Sequence, residues 1–361
     1  MINKYYSLNN ILKKGAVYNV IFGERSSGKT YAVLKYALER FVKYGEQLGI
    51  VRRWREDFTG KRGATMWAAL EENGEIKKIT GGEWSSIYYY ASRWYLCSID
   101  EAGKRVIDET PIAYGFSISS MEHDKSTSFP RIKTIMFDEF LSRTAYLPDE
   151  FVLFMNVLST IIRDRKNVKI FMLGNAVNKY CPYFSEMGLQ HIKKMKPGDI
   201  DLYKYGNSGL SVAVEYTTPN KRGKESDLYF AFDNPRLQMI TGGAWEIDIY
   251  PHCPTKIKPK DVIFKYYIVF SGDTLECDVV LQDELSFTFI HRKTTEIPNN
   301  SLVYSQEFSP LPNYRRKITS CVDNIDRRIL QYYKQDKIFY SDNEVGEIVR
   351  NYIIWCGGKT K

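Results

Sequence analysis

The chain has 361 residues, 43% of them hydrophobic and 26% charged, with a formal net charge of +8; that is enough apolar material for two cores, and its field favours a polyanionic partner, nucleic acid being the usual one. Six cysteines without C-x-x-C spacing, beside four histidines, argue against a disulfide framework or a zinc site and point to a reducing compartment. The start Met1-Ile2-Asn3-Lys4-Tyr5-Tyr6 lacks the apolar run of a signal peptide and no window approaches the ~18 apolar residues of a membrane span, so no membrane partner is expected.

In chain order, Ala16 to Phe22 reads as a buried strand, and Val33, Leu34, Ala37, Leu38 and Phe41 fall on one face of a helix. Between them, Gly23-Glu24-Arg25-Ser26-Ser27-Gly28-Lys29-Thr30 matches G-x-x-x-x-G-K-[ST] in full. Glycines let such a loop curl so that its N–H groups meet phosphate oxygens at the positive end of the following helix. Lys29 is placed to reach the β and γ phosphates and Thr30 to ligate Mg²⁺, so ATP or GTP binding is expected. Basic residues then recur in clusters, among them Arg52, Arg53 and Arg55, and Lys61 and Arg62. Each cluster alone fits a solvated loop as well as a contact surface. Ser86 to Tyr90, Trp94 to Cys97 and Arg105 to Ile107 are β-prone runs that read as a meander, with Ala113 to Ile118 a further candidate strand.

About 110 residues after the loop, Ile135-Met136-Phe137-Asp138-Glu139 is an apolar strand ending in two carboxylates, the pattern of a Walker B element. Asp138 would hold the Mg²⁺ water shell and Glu139 would polarise the attacking water, which points to hydrolysis and not just binding. A helix follows from Pro148-Asp149-Glu150, with the stripe Phe151, Phe154, Met155, Leu158, Ile161 and Ile162, and ends at Arg163-Asp164-Arg165. Arginines there serve either a neighbour's phosphoryl-transfer site or the helix dipole. Val168 to Leu173 is another strand, ending in Gly174-Asn175-Ala176. Asn175 is a candidate γ-phosphate sensor, with an ordinary turn residue as the alternative.

Together the phosphate loop, Val51-Arg52-Arg53, Phe137-Asp138-Glu139-Phe140, Arg163 and Arg165, and Asn175-Ala176-Val177 closely resemble the DNA-packaging (encapsidation) ATPases of phi29-like small tailed phages, over residues 15–185. The resemblance implies an additional-strand P-loop α/β NTPase of the terminase and FtsK-HerA kind, with Gly23, Arg25, Ser26, Ser27, Gly28, Lys29, Thr30 and Asn175 at ATP. It implies that Thr30 and Asp138 serve Mg²⁺, that Glu139, Lys29 and Arg163 are catalytic, and that Arg163 acts across a subunit boundary. Lys125 matches a further basic residue acting in trans. Arg165, Arg55, Lys61 and Arg62 join it as trans-acting or DNA-contacting candidates, Arg55 standing where the family pattern has lysine, a swap that keeps charge and changes geometry. The implied partners are double-stranded DNA, further copies of the chain in a pentameric ring, the phage portal and a structural RNA. The implied place is the host cytoplasm, with transient residence on the procapsid.

Residues 1–200 are assigned to the ATPase domain, 201–230 to a linker or small connecting element and 231–361 to a smaller β-rich nucleic-acid-binding domain. The last carries strands over Ile263–Phe270, Glu276–Leu281 and Ser286–Ile290 and helices over Ile325–Lys334 and Asn343–Trp355. By fold-level analogy it resembles a degenerate RNase H-like nuclease. Asp273, Glu276 and Asp278 cluster near a hairpin there, without clear partners for a two-metal nuclease. A helicase or other translocase outside packaging, and a nucleotide-switched scaffold, are the competing readings.

Overall fold

A computed structural model describes residues 6–120, 128–142, 146–147, 149–175, 181–206, 209–218, 250–253, 256–282 and 285–357. The chain divides into two units, Met1–Glu246 and Ile247–Lys361.

The first unit follows from apolar runs that need cover on both faces, as parallel strands do. Strands β1 (Tyr18–Gly23), β2 (Gln47–Arg52), β6 (Ile132–Asp138) and β7 (Lys169–Asn175) are buried almost throughout. They join β3 (Ser86–Tyr90), β4 (Arg93–Ile99), β5 (Arg105–Ser117), β8 (Ile200–Tyr205) and β9 (Leu210–Tyr216) in one sheet ordered β3-β4-β5-β2-β6-β7-β1-β9-β8. Strand β7 lies between the phosphate-loop strand β1 and the acidic strand β6, parallel to both, the placement expected of an additional-strand ATPase. The register sets Gly23 beside Asn175 and Asp138 beside Leu173. The carboxyl ends of β1, β7, β6 and β2 therefore lie side by side, where open α/β sheets take their ligands.

Helix α1 (Asn9–Leu12) precedes β1. On one face of the sheet, α2 (Lys29–Tyr44) buries Val33, Leu34, Ala37 and Leu38 against Leu48, Ile50, Met136 and Phe171. It stops at Gly45, whose φ of 67° suits a left-handed cap and whose N–H reaches Phe41 O at 2.8 Å. Short helices α3 (Gly60–Ala64), α4 (Ala68–Glu72) and α5 (Glu75–Ile79) follow β2. On the other face, α6 (Glu150–Ile162) and α7 (Pro182–Glu186) pack Phe154, Val157, Ile161, Tyr183 and Phe184 onto Val20, Phe137 and Met172.

Two sequence expectations are corrected. Arg105–Ile107 and Ala113–Ile118 belong to a single long strand, β5, which pairs antiparallel with β4 and then parallel with β2, so the meander is an extension of the main sheet. The stretch assigned to a linker from 201 opens with β8 and β9, an antiparallel hairpin whose second strand runs parallel to β1. Its glycines and lysines had masked the short apolar run of β9, in which Val212, Ala213 and Val214 are buried in succession. The rest of that stretch lies outside the described residues from position 219 on.

The second unit is a mixed sheet of β10 (Val262–Phe270), β11 (Asp273–Gln282), β12 (Leu285–Arg292), β13 (Leu302–Ser305), β14 (Tyr314–Arg315) and β15 (Ile338–Tyr340), ordered β14-β13-β10-β11-β12-β15. The hairpins β10-β11-β12 are antiparallel, and β13, β14 and β15 add in parallel. Helices α8 (Asn324–Lys334) and α9 (Asn343–Trp355) follow, within a residue of the spans read from sequence. Helix α8 starts at a capping box in which Asp323 and Asp326 satisfy each other's backbone N–H groups. The second unit is thus strand-rich with its longer helices last, as the sequence anticipates.

Candidate nucleotide-binding and hydrolysis site

The phosphate loop is shaped by its glycines. Gly28 has φ 93° and Gly23 φ 153°. A Cβ on Gly23 would stand 2.0 Å from Thr217 Oγ1, just past the end of β9, so that position excludes every side chain. Lys29, the first residue of α2, is 6% exposed. Its ammonium curls back onto the loop, donating to Glu24 O at 2.6 Å and Ser27 Oγ at 3.2 Å. Burial pulls its pKa down from 10.5 to about 8, although Asp138 and Glu24 push the other way. These are the contacts of a cation holding a place for phosphate oxygens.

Thr30 Oγ1 donates to Asp138 Oδ1 at 3.2 Å. Burial raises the Asp138 carboxyl above its ordinary range, against the pull of Arg52. A hydroxyl and a buried carboxylate at this spacing offer the oxygen donors that Mg²⁺ prefers. A divalent cation there would also compensate the buried charge.

Arg52, the last residue of β2, closes the other side. Its Nη2 lies 2.8 Å from Asp138 Oδ2 and its Nη1 2.8 Å from Glu139 Oε2, so one guanidinium spans both Walker B carboxylates. Glu139 adopts φ 61°, a left-handed conformation that costs a non-glycine residue about 1 kcal/mol and persists only where its surroundings impose it. Its side chain is 65% exposed, open to water yet tethered. Arg52 keeps the Glu139 carboxylate engaged in an ion pair.

Arg25 through Thr30, Asp138, Glu139 and Asn175 line a cavity of 840 Å³, a volume suited to a nucleotide-sized ligand. The sequence had named every one of these residues. Its far wall comes from α3 and α4, through Arg62, Thr65, Met66 and Ala69. Arg62, read as a DNA contact, is thus drawn to the cavity rim, with Asp57 Oδ1 at 3.8 Å. Lys61 on α3 and Arg55 on the turn Arg55–Phe58 are exposed.

Arg163 caps α6 with φ 52° and ψ −128° and is not among the residues lining the cavity. Arg165 does not fit a trans-acting role. Its guanidinium donates to Ile162 O at 3.1 Å and Pro130 O at 3.0 Å, and also to the carbonyls of Ile132 and Ile161. It serves its own chain by tying the end of α6 to the start of β6. Lys125 lies outside the described residues.

Sequence reading gave Arg52 and Arg53 no site role, noting them in a basic cluster and in the motif Val51-Arg52-Arg53. The signal was the apolar run from Leu48 to Val51, which makes them the carboxyl end of a buried strand, where ligand-facing groups collect.

The second unit holds the other charged cluster. Glu276 and Asp278, two apart on β11, lie with His291 of β12 so that their ligand atoms fall within 4.8 Å of one another. Lys293 Nζ is 2.8 Å from Glu276 Oε2, and Lys265 Nζ pairs with Glu276 and lies 3.1 Å from Asp278 Oδ1. Burial alone would raise both carboxyls, yet Lys265 and its neighbours hold them below the ordinary range. Asp273, the third nuclease candidate, pairs with Arg292. Two ammonium groups already neutralise these carboxylates, so the donor set does not fit a pair of divalent ions.

Among the described residues no helix is long and apolar enough to cross a membrane. The model of the podovirus DNA encapsidation protein (Gp16) family matches residues 2–75 and 99–197. The DNA packaging protein of Bacillus phage B103 is 30% identical over 299 residues, 82% of this chain and 83% of that protein. That of Bacillus phage phi29 is 23% identical over 344 residues, 94% of each chain. In fold, the chain is similar to the solved bacteriophage phi29 viral genome packaging motor assembly, with a TM-score of 0.53, 20% identity and 97% coverage of both chains. With the additional-strand sheet and the convergent Walker residues in place, these likenesses settle the family: the chain belongs to the podovirus DNA encapsidation proteins and is a genome-packaging ATPase.

Proposed function

We propose that this chain drives double-stranded DNA into a procapsid as a pentameric ring, hydrolysing ATP at a site that a neighbouring copy completes. The observation that carries the reading is the convergence of Arg25 to Thr30, Asp138, Glu139 and Asn175 on one cavity. Lys29 would neutralise the β and γ phosphates, and Thr30 and Asp138 would hold Mg²⁺, which would supply charge to offset that of the transferring phosphoryl group. Glu139, released from Arg52, takes the proton of the attacking water. Asn175, level with Gly23 across β1 and β7, senses the γ-phosphate.

Arg163 stands outside its own cavity at the end of α6, which supports its service to the next subunit in stabilising transition-state charge. DNA is gripped through phosphates by exposed basic residues, Lys61 and Lys125 among them, in a salt-dependent and sequence-independent way. The portal is the docking partner, with a structural RNA between them, and the motor works in the host cytoplasm on the procapsid.

Steady-state ATP hydrolysis with double-stranded DNA, single-stranded DNA, RNA or no nucleic acid tests this, with Glu139→Gln as the blank. The expected result is stimulation by duplex DNA of any sequence, fading with salt. Mixing Lys29→Ala with Arg163→Ala subunits should restore activity that neither has alone. Stimulation by single strands only, or no recovery in verified mixed rings, would overturn the reading.

A further inference from the structure

Arg53 follows Arg52, and consecutive residues of an extended chain face opposite ways. Arg52 meets the side chains of Asp138 and Glu139, whereas Arg53 meets the main chain of the same turn. Its guanidinium donates to Phe140 O at 2.9 Å and to Glu139 O at 3.3 Å. The same group makes a bidentate pair with Glu150, at 2.7 and 2.8 Å, and lies 5.1 Å from the centre of the Tyr146 ring. Arg53 is 7% exposed and Glu150 2%. Glu150, the first residue of α6, also accepts from Tyr183 Oη at 2.8 Å and from the Leu147 N–H at 2.7 Å.

A buried ion pair with this many satisfied partners is poor evidence for stability, because apolar residues would fill the space at less desolvation cost. What it does supply is position. The left-handed Glu139 is held at its N–H by Asp138 Oδ1 at 3.1 Å. The next N–H, of Phe140, reaches Leu173 O at 3.1 Å. Arg53 secures the two carbonyls. We propose that Arg53 is a positioning residue, with Glu150 as its counter-ion: it imposes the backbone conformation that aims the Glu139 carboxylate into the cavity, and it ties that turn to the first turn of α6, whose far end carries Arg163. This rests on the reading of Glu139 as the group that activates water.

The test is a double-mutant cycle in single-turnover and steady-state ATP hydrolysis, using the full chain under its DNA-stimulated conditions. Arg53→Lys keeps the charge and loses the fork; Glu150→Gln keeps the shape and loses the charge. Each should lower kcat ~10- to 100-fold, the penalty of misplacing a reacting group by about 1 Å. KM for ATP and the affinity for a fluorescent ADP analogue should stay within ~3-fold, since the phosphate loop is untouched. On a Glu150→Gln background Arg53→Lys should cost less than ~2-fold, because groups acting as one unit are not additive. If Arg53→Lys does not fold, Tyr183→Phe, which removes one hydrogen bond to Glu150, carries the same cycle with a smaller loss of ~3-fold. Near-wild-type kcat in these variants while Glu139→Gln is inactive would overturn the inference alone. So would a loss of equal factor on the Glu150→Gln background. An active Glu139→Gln would overturn the reading of Glu139 and the inference with it.

Discussion

Lys29 offers the sharpest quantitative handle, because burial pulls its pKa to about 8 against an ordinary 10.5. The gap of about 2.5 pH units corresponds to roughly 3.4 kcal/mol, the cost of keeping the buried ammonium charged at neutral pH. Phosphate oxygens must bind the charged form, so nucleotide affinity should hold level below about pH 8. Above it the affinity should weaken, by at most ~10-fold per pH unit, with uptake of up to one proton on binding. For the empty protein the sign also follows. The unfolded lysine stays protonated to about 10.4 while the folded one releases its proton near 8, so the unfolded state binds more protons in that window and wild-type stability rises with pH through it. Lys29→Met should therefore stabilise the nucleotide-free protein by up to ~3 kcal/mol below pH 8, with the advantage shrinking as pH climbs toward 10.5. Fluorescent ADP-analogue titrations from pH 7 to 9.5 and denaturant melts of both proteins measure the two effects. Affinity that changes less than ~2-fold across that range, or a Lys29→Met protein less stable than wild type at pH 7, would refute the reasoning.

Arg52→Ala leaves Asp138 buried without its counter-ion and should cost about 2–4 kcal/mol of stability near pH 7.5. Burial already raises the folded Asp138 pKa, so the penalty is complete above that value and eases as protonation removes the charge. Melts from pH 7.5 downward in which the deficit never narrows would contradict this. Arg163→Gly relieves a φ of 52° with ψ −128° and should stabilise the chain by ~1 kcal/mol; the same substitution should abolish activity on its own and, like Arg163→Ala, regain it in mixed rings with Lys29→Ala subunits. Thermal melts with subunit-mixing assays check both halves, and a lowered midpoint would sink the strain argument. In the second unit, Lys265 and Lys293 neutralise Glu276 and Asp278, so plasmid DNA with Mn²⁺ should remain unnicked; cleavage lost on Asp278→Ala would reverse that assignment.

The loop from Gly23 to Thr30, the strand ending in Asp138 and Glu139, and Asn175 were legible because their chemistry is local. Each is a short run whose residue types and apolar flank state the element and its end. The span of α9 was readable for the same reason, its apolar period being bounded by the cap at Asp342. Strands β8 and β9 were not, because β9 is held as a strand by its places beside β1 and β8, and its flanks carry turn residues. Arg165 reads like Arg163 in sequence, both basic at a helix end; only the approach of Pro130 and Ile132 separates the residue that binds its own chain.

The pair Arg52 and Arg53 shows why the limit falls there. Both lie more than 80 residues before the groups they bind, and their neighbourhood marks a strand end without naming the partner. It arises because β2 pairs parallel with β6, Val51 level with Phe137, which sets the next residues of both strands at one edge. A parallel sheet thus turns two remote strand ends into one turn of chemistry. Arg52 holds the side chains of that turn and Arg53 its backbone, so nucleotide that displaces Arg52 from Glu139 acts on a carboxylate whose main chain stays clamped. The strain at Glu139 is then retained through the exchange, and the clamp lets a small side-chain swap be felt at the first turn of α6.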